Sequence, residues 1–127
     1  MALLLDTSAA VELIEGVARS IVRARQSDGL FLSVVSHVEL QAGMIREDQA
    51  IFRARLEKLL ETVEELEFTG GEVAAYGSIV ATRGFSRRLV IDRMIAATAI
   101  VHGIALATLN PRDFRDIPGL TIEDWSA

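Results

Sequence analysis

Short apolar runs alternate along this chain with longer stretches whose apolar residues recur at helical spacing. Leu3-Leu4-Leu5 is bounded by polar residues and predicts a buried strand. Asp6 stands at its carboxyl end, where the chain turns into a helix from Ala9 to Ile14. Val17 to Gln26 is a second helix, closed by Ser27-Asp28-Gly29 with the glycine as its stop. Leu30 to Val35 predicts another buried strand. Ser36 then caps a third helix, in which Ser36 and Glu39 have the spacing of a capping box. From Glu47 to Val63 one apolar stripe of Ile51, Phe52, Leu56, Leu59 and Leu60 opposes Arg53, Glu57, Lys58 and Glu61.

Glu64 to Phe68 is a weaker strand, expected near a sheet edge. Gly70-Gly71 opens a helix from Glu72 to Thr82, and Gly84 to Arg88 is a loop. Val90 to His102 is apolar on nearly every side, so it predicts a buried helix whose alanines let it lie close to a sheet. Ile104 to Thr108 is a further buried strand. Asn110 caps a turn with Pro111 in first position, Ile117 to Leu120 turns again, and Leu120 to Ile122 is a short last strand. Strands separated by helices imply right-handed crossovers and a parallel sheet covered on both faces.

A chain of 127 residues, 50% of them hydrophobic, predicts one domain over residues 1–127 with a sizeable core. The start of the chain lacks the marks of a signal peptide and no apolar run is long enough to span a bilayer, so a soluble, cytoplasmic protein is expected. The absence of cysteine excludes disulfides, thiolate metal sites and a cysteine nucleophile. His37 and His102 are too few for a histidine-rich metal centre and read as local hydrogen-bonding groups. Ser8 and Ser36 have no visible histidine–carboxylate relay. Trp125 reads as an anchor for the tail. Gly43 inside a helix implies close backbone or substrate approach beside Glu39.

A net charge of −5 argues against sequence-independent capture of duplex DNA. Its distribution matters more. Only Lys58 among the 13 basic residues is a lysine, and Arg83, Arg87, Arg88 and Arg93 lie close together. Guanidinium forks suit phosphate, so these residues, with Arg112, are candidate nucleic-acid contacts; a solvated surface is the structural alternative.

Asp6 follows the first strand, Glu39 begins the third helix, Asp92 opens the buried helix, and Asp113 lies beyond the strand ending at Thr108. Capping accounts for each singly. In a parallel sheet, however, all four face one edge, where such folds place their chemistry. Ionised carboxylates about 4 Å apart repel by roughly 4 kcal/mol per pair at an effective dielectric near 20. Four together need a cation, and oxygen-only ligands suit Mg2+ or Mn2+. The chemistry that follows is metal-assisted phosphodiester hydrolysis.

Leu5-Asp6-Thr7-Ser8, Val38-Glu39-Leu40 with Gly43, Asp92 followed by Ile95 to Ala99, and Thr108-Leu109-Asn110 with Asp113-Phe114 and Ile117 to Leu120 together resemble a PIN-domain ribonuclease of the VapC toxin type. That resemblance implies a three-layer α/β/α fold with a central parallel sheet of about five strands. It also implies an acidic Mg2+ site and endonucleolytic cleavage of RNA. By motif position Asp6, Glu39, Asp92 and Asp113 take the acidic roles, with Asp116 a rival for the fourth. Thr7, Thr108 and Asn110 match supporting polar positions. A homodimer and a cognate antitoxin are further implications. Arg93 departs from the family pattern, where a small or apolar residue is common. The alternatives are an RNA-processing nuclease without an antitoxin and a non-catalytic binding module of the same fold. A phosphoacceptor domain would need a lysine near a strand end, and Lys58 is not so placed.

Overall fold

Leu3, Leu4 and Leu5 are each at most 2% exposed and form most of β1 (Ala2–Leu5), the central strand. The structure is a computed structural model and describes residues 1–43 and 49–127. β1 pairs with β2 (Gly29–Ser33) on one side and with β4 (Ala105–Thr108) on the other. β3 (Glu64–Leu66) and β5 (Ile122–Asp124) form the edges. Among the described residues the sheet order is β3-β2-β1-β4-β5, every pairing parallel.

Successive side chains of a strand point to opposite faces, so each central strand feeds two cores. Leu3 and Leu5 join Leu32, Ala105 and Ala107 in one cluster, whereas Leu4 and Leu106 join the other. The first core is covered by α1 (Thr7–Glu15) and α4 (Gln49–Thr62), with Ala24 of α2 (Ala18–Gln26) at its margin. The second is covered by α5 (Gly70–Arg83) and α6 (Val90–His102), which supplies the fully buried Ala96 and Ala97. α3 (Val34–Ala42) reaches both, through Leu40 on one side and Val35 on the other. The result is the expected three-layer α/β/α architecture.

From β1 the chain steps outward through β2 to β3, then crosses back to add β4 beyond β1. The direction of winding therefore reverses between β1 and β4. Helices on either side of such a reversal diverge and leave a crevice at the carboxyl ends of the two strands. Asp6 and Leu109 are the first residues past those ends.

Several local expectations need correction. α3 is capped by Ser33, whose Oγ accepts from the Val35 amide at 3.1 Å, rather than by Ser36. Val34 and Val35 are helical because Val35 packs into the second core, which overrides their strand preference. Ser36 is thus fully buried within the helix, and no capping box with Glu39 exists. The box occurs instead at α5, where the Thr69 amide donates to Glu72 Oε1 at 2.8 Å. α2 is closed by Ser27, and Gly29 begins β2. The last strand lies two residues later than expected, at Ile122–Asp124. Glu47, the expected first residue of the fourth helix, lies outside the described residues. Gly43 is crowded as expected, but by protein: an added Cβ would meet the Phe52 ring at 3.3 Å.

Trp125 anchors the tail. It is fully buried in the first core, its amide donates to the Thr108 carbonyl at 2.8 Å, and its indole Nε1 donates to Glu123 at 2.7 Å. Replacing Trp125 by alanine is expected to lower unfolding free energy by about 3 to 5 kcal/mol, seen as an earlier midpoint in urea denaturation. A midpoint unchanged from wild type would contradict this packing.

Candidate active site

Asp6 is 3% exposed, and its carboxylate is held from three directions. Oδ1 accepts from the Ser8 hydroxyl at 2.7 Å and from the Ala9 amide at 2.8 Å, while Oδ2 accepts from the Thr108 hydroxyl at 2.5 Å. The Ala9 bond makes Asp6 the N-cap of α1, so the capping reading is true. It is also insufficient, because the Thr108 bond reaches across to β4. Burial raises the Asp6 pKa above its ordinary value, opposed by these hydrogen bonds and assisted by the negative charge of Glu39.

The strand ends are stitched together around this carboxylate. The Asp6 amide donates to the Ala107 carbonyl at 3.0 Å, the Leu109 amide to Ser8 Oγ at 3.1 Å, and the Asn110 amide to Thr108 Oγ1 at 2.9 Å. Thr7, the first residue of α1, donates its hydroxyl to Glu39 Oε1 at 2.5 Å and so orients the acid of α3. Asp92 sits in the first turn of α6, where the helix dipole favours an anion, and accepts no hydrogen bond among the described residues.

Asp6, Glu39 and Asp92 line one cleft of about 440 Å³, joined by Glu12 and Glu15 and floored by Leu109 and Asn110. Among the described residues no arginine or lysine lines it. Burial pushes the Asp92 pKa up to about 6, with Asp6, Asp113 and Glu39 adding to the rise and Arg88 opposing it. Asp113 does not stand in this cleft. It lines the adjoining one, and its Oδ1 accepts from Arg88 Nη1 at 3.3 Å. Asp116 is exposed and lines neither. Three of the four expected acids therefore share a cleft, and the fourth is next door.

Among the described residues no three acidic or histidine side chains already stand close enough to form a finished metal cage. The donor set nevertheless fits a hard divalent cation. It is all oxygen and strongly negative, no cationic side chain among the described residues stands in its wall, and burial together with the neighbouring carboxylates makes Asp92 resist ionisation. Mg2+ ordinarily takes a few carboxylates and completes its shell with water and substrate phosphate, which does not require a closed protein cage.

The arginines divide. Arg83, Arg87, Arg88 and Arg112 are exposed. Arg93 is 4% exposed, donates Nη1 to the Gly84 carbonyl at 2.6 Å, and leaves Nε without a partner. Its expected role as an RNA contact is corrected: one residue beyond Asp92 the helix has turned by about 100°, and the side chain braces the α5–α6 loop from inside. His37 bonds Glu65 at 3.0 Å and Gln41 at 3.1 Å, and His102 lies 3.6 Å from Glu72, local roles as expected. The sequence reading missed Ser8 as a clamp on Asp6. An Asx-type bond between a side chain and the residue two positions on was the available signal.

A model of the PIN domain matches residues 3–120. The chain belongs to the PIN-domain family. Within it, the chain is 32% identical to ribonuclease VapC1 of Rickettsia felis across 96% of its own length and 95% of the relative's, which places it with the VapC-type members. The PIN fold is also that of VapBC2 from Rickettsia felis bound to a promoter DNA fragment, with TM-score 0.84 and 24% identity over 98% of this chain and 99% of that one. DNA-bound VapBC from Salmonella typhimurium gives 0.84 and 24% over 98% of both chains.

The raised Asp92 pKa carries a pH dependence. The folded state holds this proton to about pH 6, whereas the unfolded chain releases it near 3.8. Asp92 therefore contributes stability at low pH that is lost as pH rises through about 6. Without divalent ions, Asp92→Asn is expected to raise Tm at pH 7 by several degrees more than at pH 4, as read by thermal melts. A pH-independent difference would contradict the crowding.

Proposed function

We propose that this chain is a divalent-metal-dependent endoribonuclease and the toxin of a toxin–antitoxin pair. The observation that carries the reading is the cleft at the reversal point of the sheet in which Asp6, Glu39 and Asp92 converge, with no cationic side chain in its wall among the described residues. The 32% identity to a ribonuclease supports the reaction class.

Asp6 is the fixed ligand, because Ser8, Ala9 and Thr108 leave its carboxylate little freedom. Glu39 is held through Thr7. Asp92 would be the adjustable ligand: burial and the neighbouring carboxylates raise its pKa, and a bound cation would favour its ionised form, coupling metal uptake to proton release. Asp113, paired with Arg88, would border the site from the neighbouring cleft. Bound Mg2+ or Mn2+ supplies Lewis acidity toward water and the phosphate oxygens. Thr108 and Asn110 support the acids and position water or substrate above Leu109. Exposed arginine outside the acidic cleft answers the charge of the RNA backbone.

For the antitoxin, the supporting surface is a groove of about 750 Å³ between α1, α2 and α4. Leu13, Ile21, Ala24 and Leu59 line it, with Arg25, Arg55 and Lys58 among its walls. It adjoins the acidic cleft, since Glu15 lines both, and suits an amphipathic, acidic segment of a partner. Exposed Val38, Val73 and Phe85, at 58 to 68%, support a homodimer. No helix among the described residues is long and apolar enough to cross a membrane, in keeping with action on cytoplasmic RNA.

Purified protein is expected to cut RNA with Mg2+ or Mn2+. EDTA should abolish cutting, and Asp92→Asn should slow it by about 100-fold or more. Full activity in EDTA would refute the mechanism. Expression is expected to arrest growth, relieved by the product of a small adjacent gene; arrest without such relief would leave a nuclease outside any antitoxin pair.

A further inference from the structure

A second cleft, also of about 440 Å³, opens beside the acidic one and shares Leu109 and Asn110 with it. Its wall has a different electrical character. Arg112 and Arg115 stand in it, both exposed, and neither forms a salt bridge or side-chain hydrogen bond among the described residues. The carboxylates of the same wall are already engaged. Asp113 accepts from Arg88, and Asp124 accepts from the Ser126 amide at 2.8 Å and hydroxyl at 2.5 Å. Arg115 also feels the negative charge of Asp124, but among the described residues neither guanidinium is tied up in an ion pair, so both keep donors for an incoming anion in a recess whose lining is mostly polar.

Among the described residues, a polyanion entering the acidic cleft meets five carboxylates and no basic side chain. A divalent ion answers one phosphate; its neighbours along the strand need charge from elsewhere. Leu109 and Asn110 line both clefts, so a strand passing over these two residues goes from the acids to the arginines. Arg83 and Arg87 line neither cleft, and Arg88 is occupied by Asp113. Resting on the nuclease reading above, we propose that Arg112 and Arg115 form a subsite for the backbone phosphate adjacent to the scissile one. The RNA then runs across the Pro111–Asp113 turn rather than along the α5–α6 loop. Guanidinium suits this task because its planar fork holds phosphate through paired hydrogen bonds without reading a base.

The test is binding of a short, unstructured, fluorescein-labelled RNA, followed by anisotropy over a series of salt concentrations in EDTA, where nothing is cut. Arg112→Ala and Arg115→Ala should each reduce the slope of log K against log salt by about 0.7, the value for one phosphate contact on a single strand. Arg53→Ala on exposed α4 removes the same charge and should leave the slope at the wild-type value. In steady-state cleavage with Mg2+, the double variant should raise KM by about 10-fold or more while kcat falls less than about 3-fold. Slopes for Arg112→Ala and Arg115→Ala equal to that of Arg53→Ala would overturn the subsite, as would a loss confined to kcat. Failure of wild type to cut RNA with any divalent ion would instead sink the nuclease reading, and the slopes would still decide whether these arginines hold a phosphate backbone. No measurable RNA binding by wild type would overturn both.

Discussion

A carboxylate placed at the centre of a parallel sheet, almost removed from water, is the constraint on which this structure depends. Asp6 can stay there only because Ser8, Ala9 and Thr108 donate to it. A buried carboxylate without such donors would be neutralised or would disrupt the seam. The donors come from both α1 and β4, so satisfying this one group also fixes how the ends of β1 and β4 meet. The charge and the fold are settled by the same hydrogen bonds. A lone helix cap would need the Ala9 amide and nothing from a strand a hundred residues away.

Topology then decides which other acids arrive. Because winding reverses between β1 and β4, the crevice opens above Asp6 and Leu109, and the start of α6 and the second turn of α3 border it. Asp92 enters by the first route and Glu39 by the second. Neither needs a special loop. Burial first, and then the negative charge of Asp6, Asp113 and Glu39, raise the Asp92 pKa to about 6. Asp113 is the exception, since it sits on a 3-10 turn past β4 and faces Arg88 across the neighbouring recess.

Much of this was legible in the residues alone, and for identifiable reasons. The leucine run of β1 and the uniformly apolar α6 admit few readings, and α6 spans Val90–His102 as expected. The acids were found because they recur at strand ends and helix starts, which is a pattern in one dimension. What pattern cannot supply is the partner across the fold. Ser36 and Glu39 have capping spacing, but the hydroxyl that caps is Ser33, because Val35 packs into the second core and pulls the helix start forward. Glu39 finds Thr7 instead. Arg93 sits among exposed arginines in sequence, yet one step around a buried helix takes it inside. Ser8 had a local signal in its bond to Asp6, but its second role, accepting from the Leu109 amide, lies with a residue distant in the chain.

The small side chains of α6 have a wider meaning. Ala96, Ala97 and Ala99 are at most 1% exposed and face Leu4 and Leu106 within the second core. Side chains this short set the gap between helix and sheet at its minimum. Asp92 rides on the same rigid rod one turn earlier. The spacing between its oxygens and those of Asp6 is therefore governed from the hydrophobic interior: methyl groups that never meet solvent or substrate act as the gauge for a polar aperture.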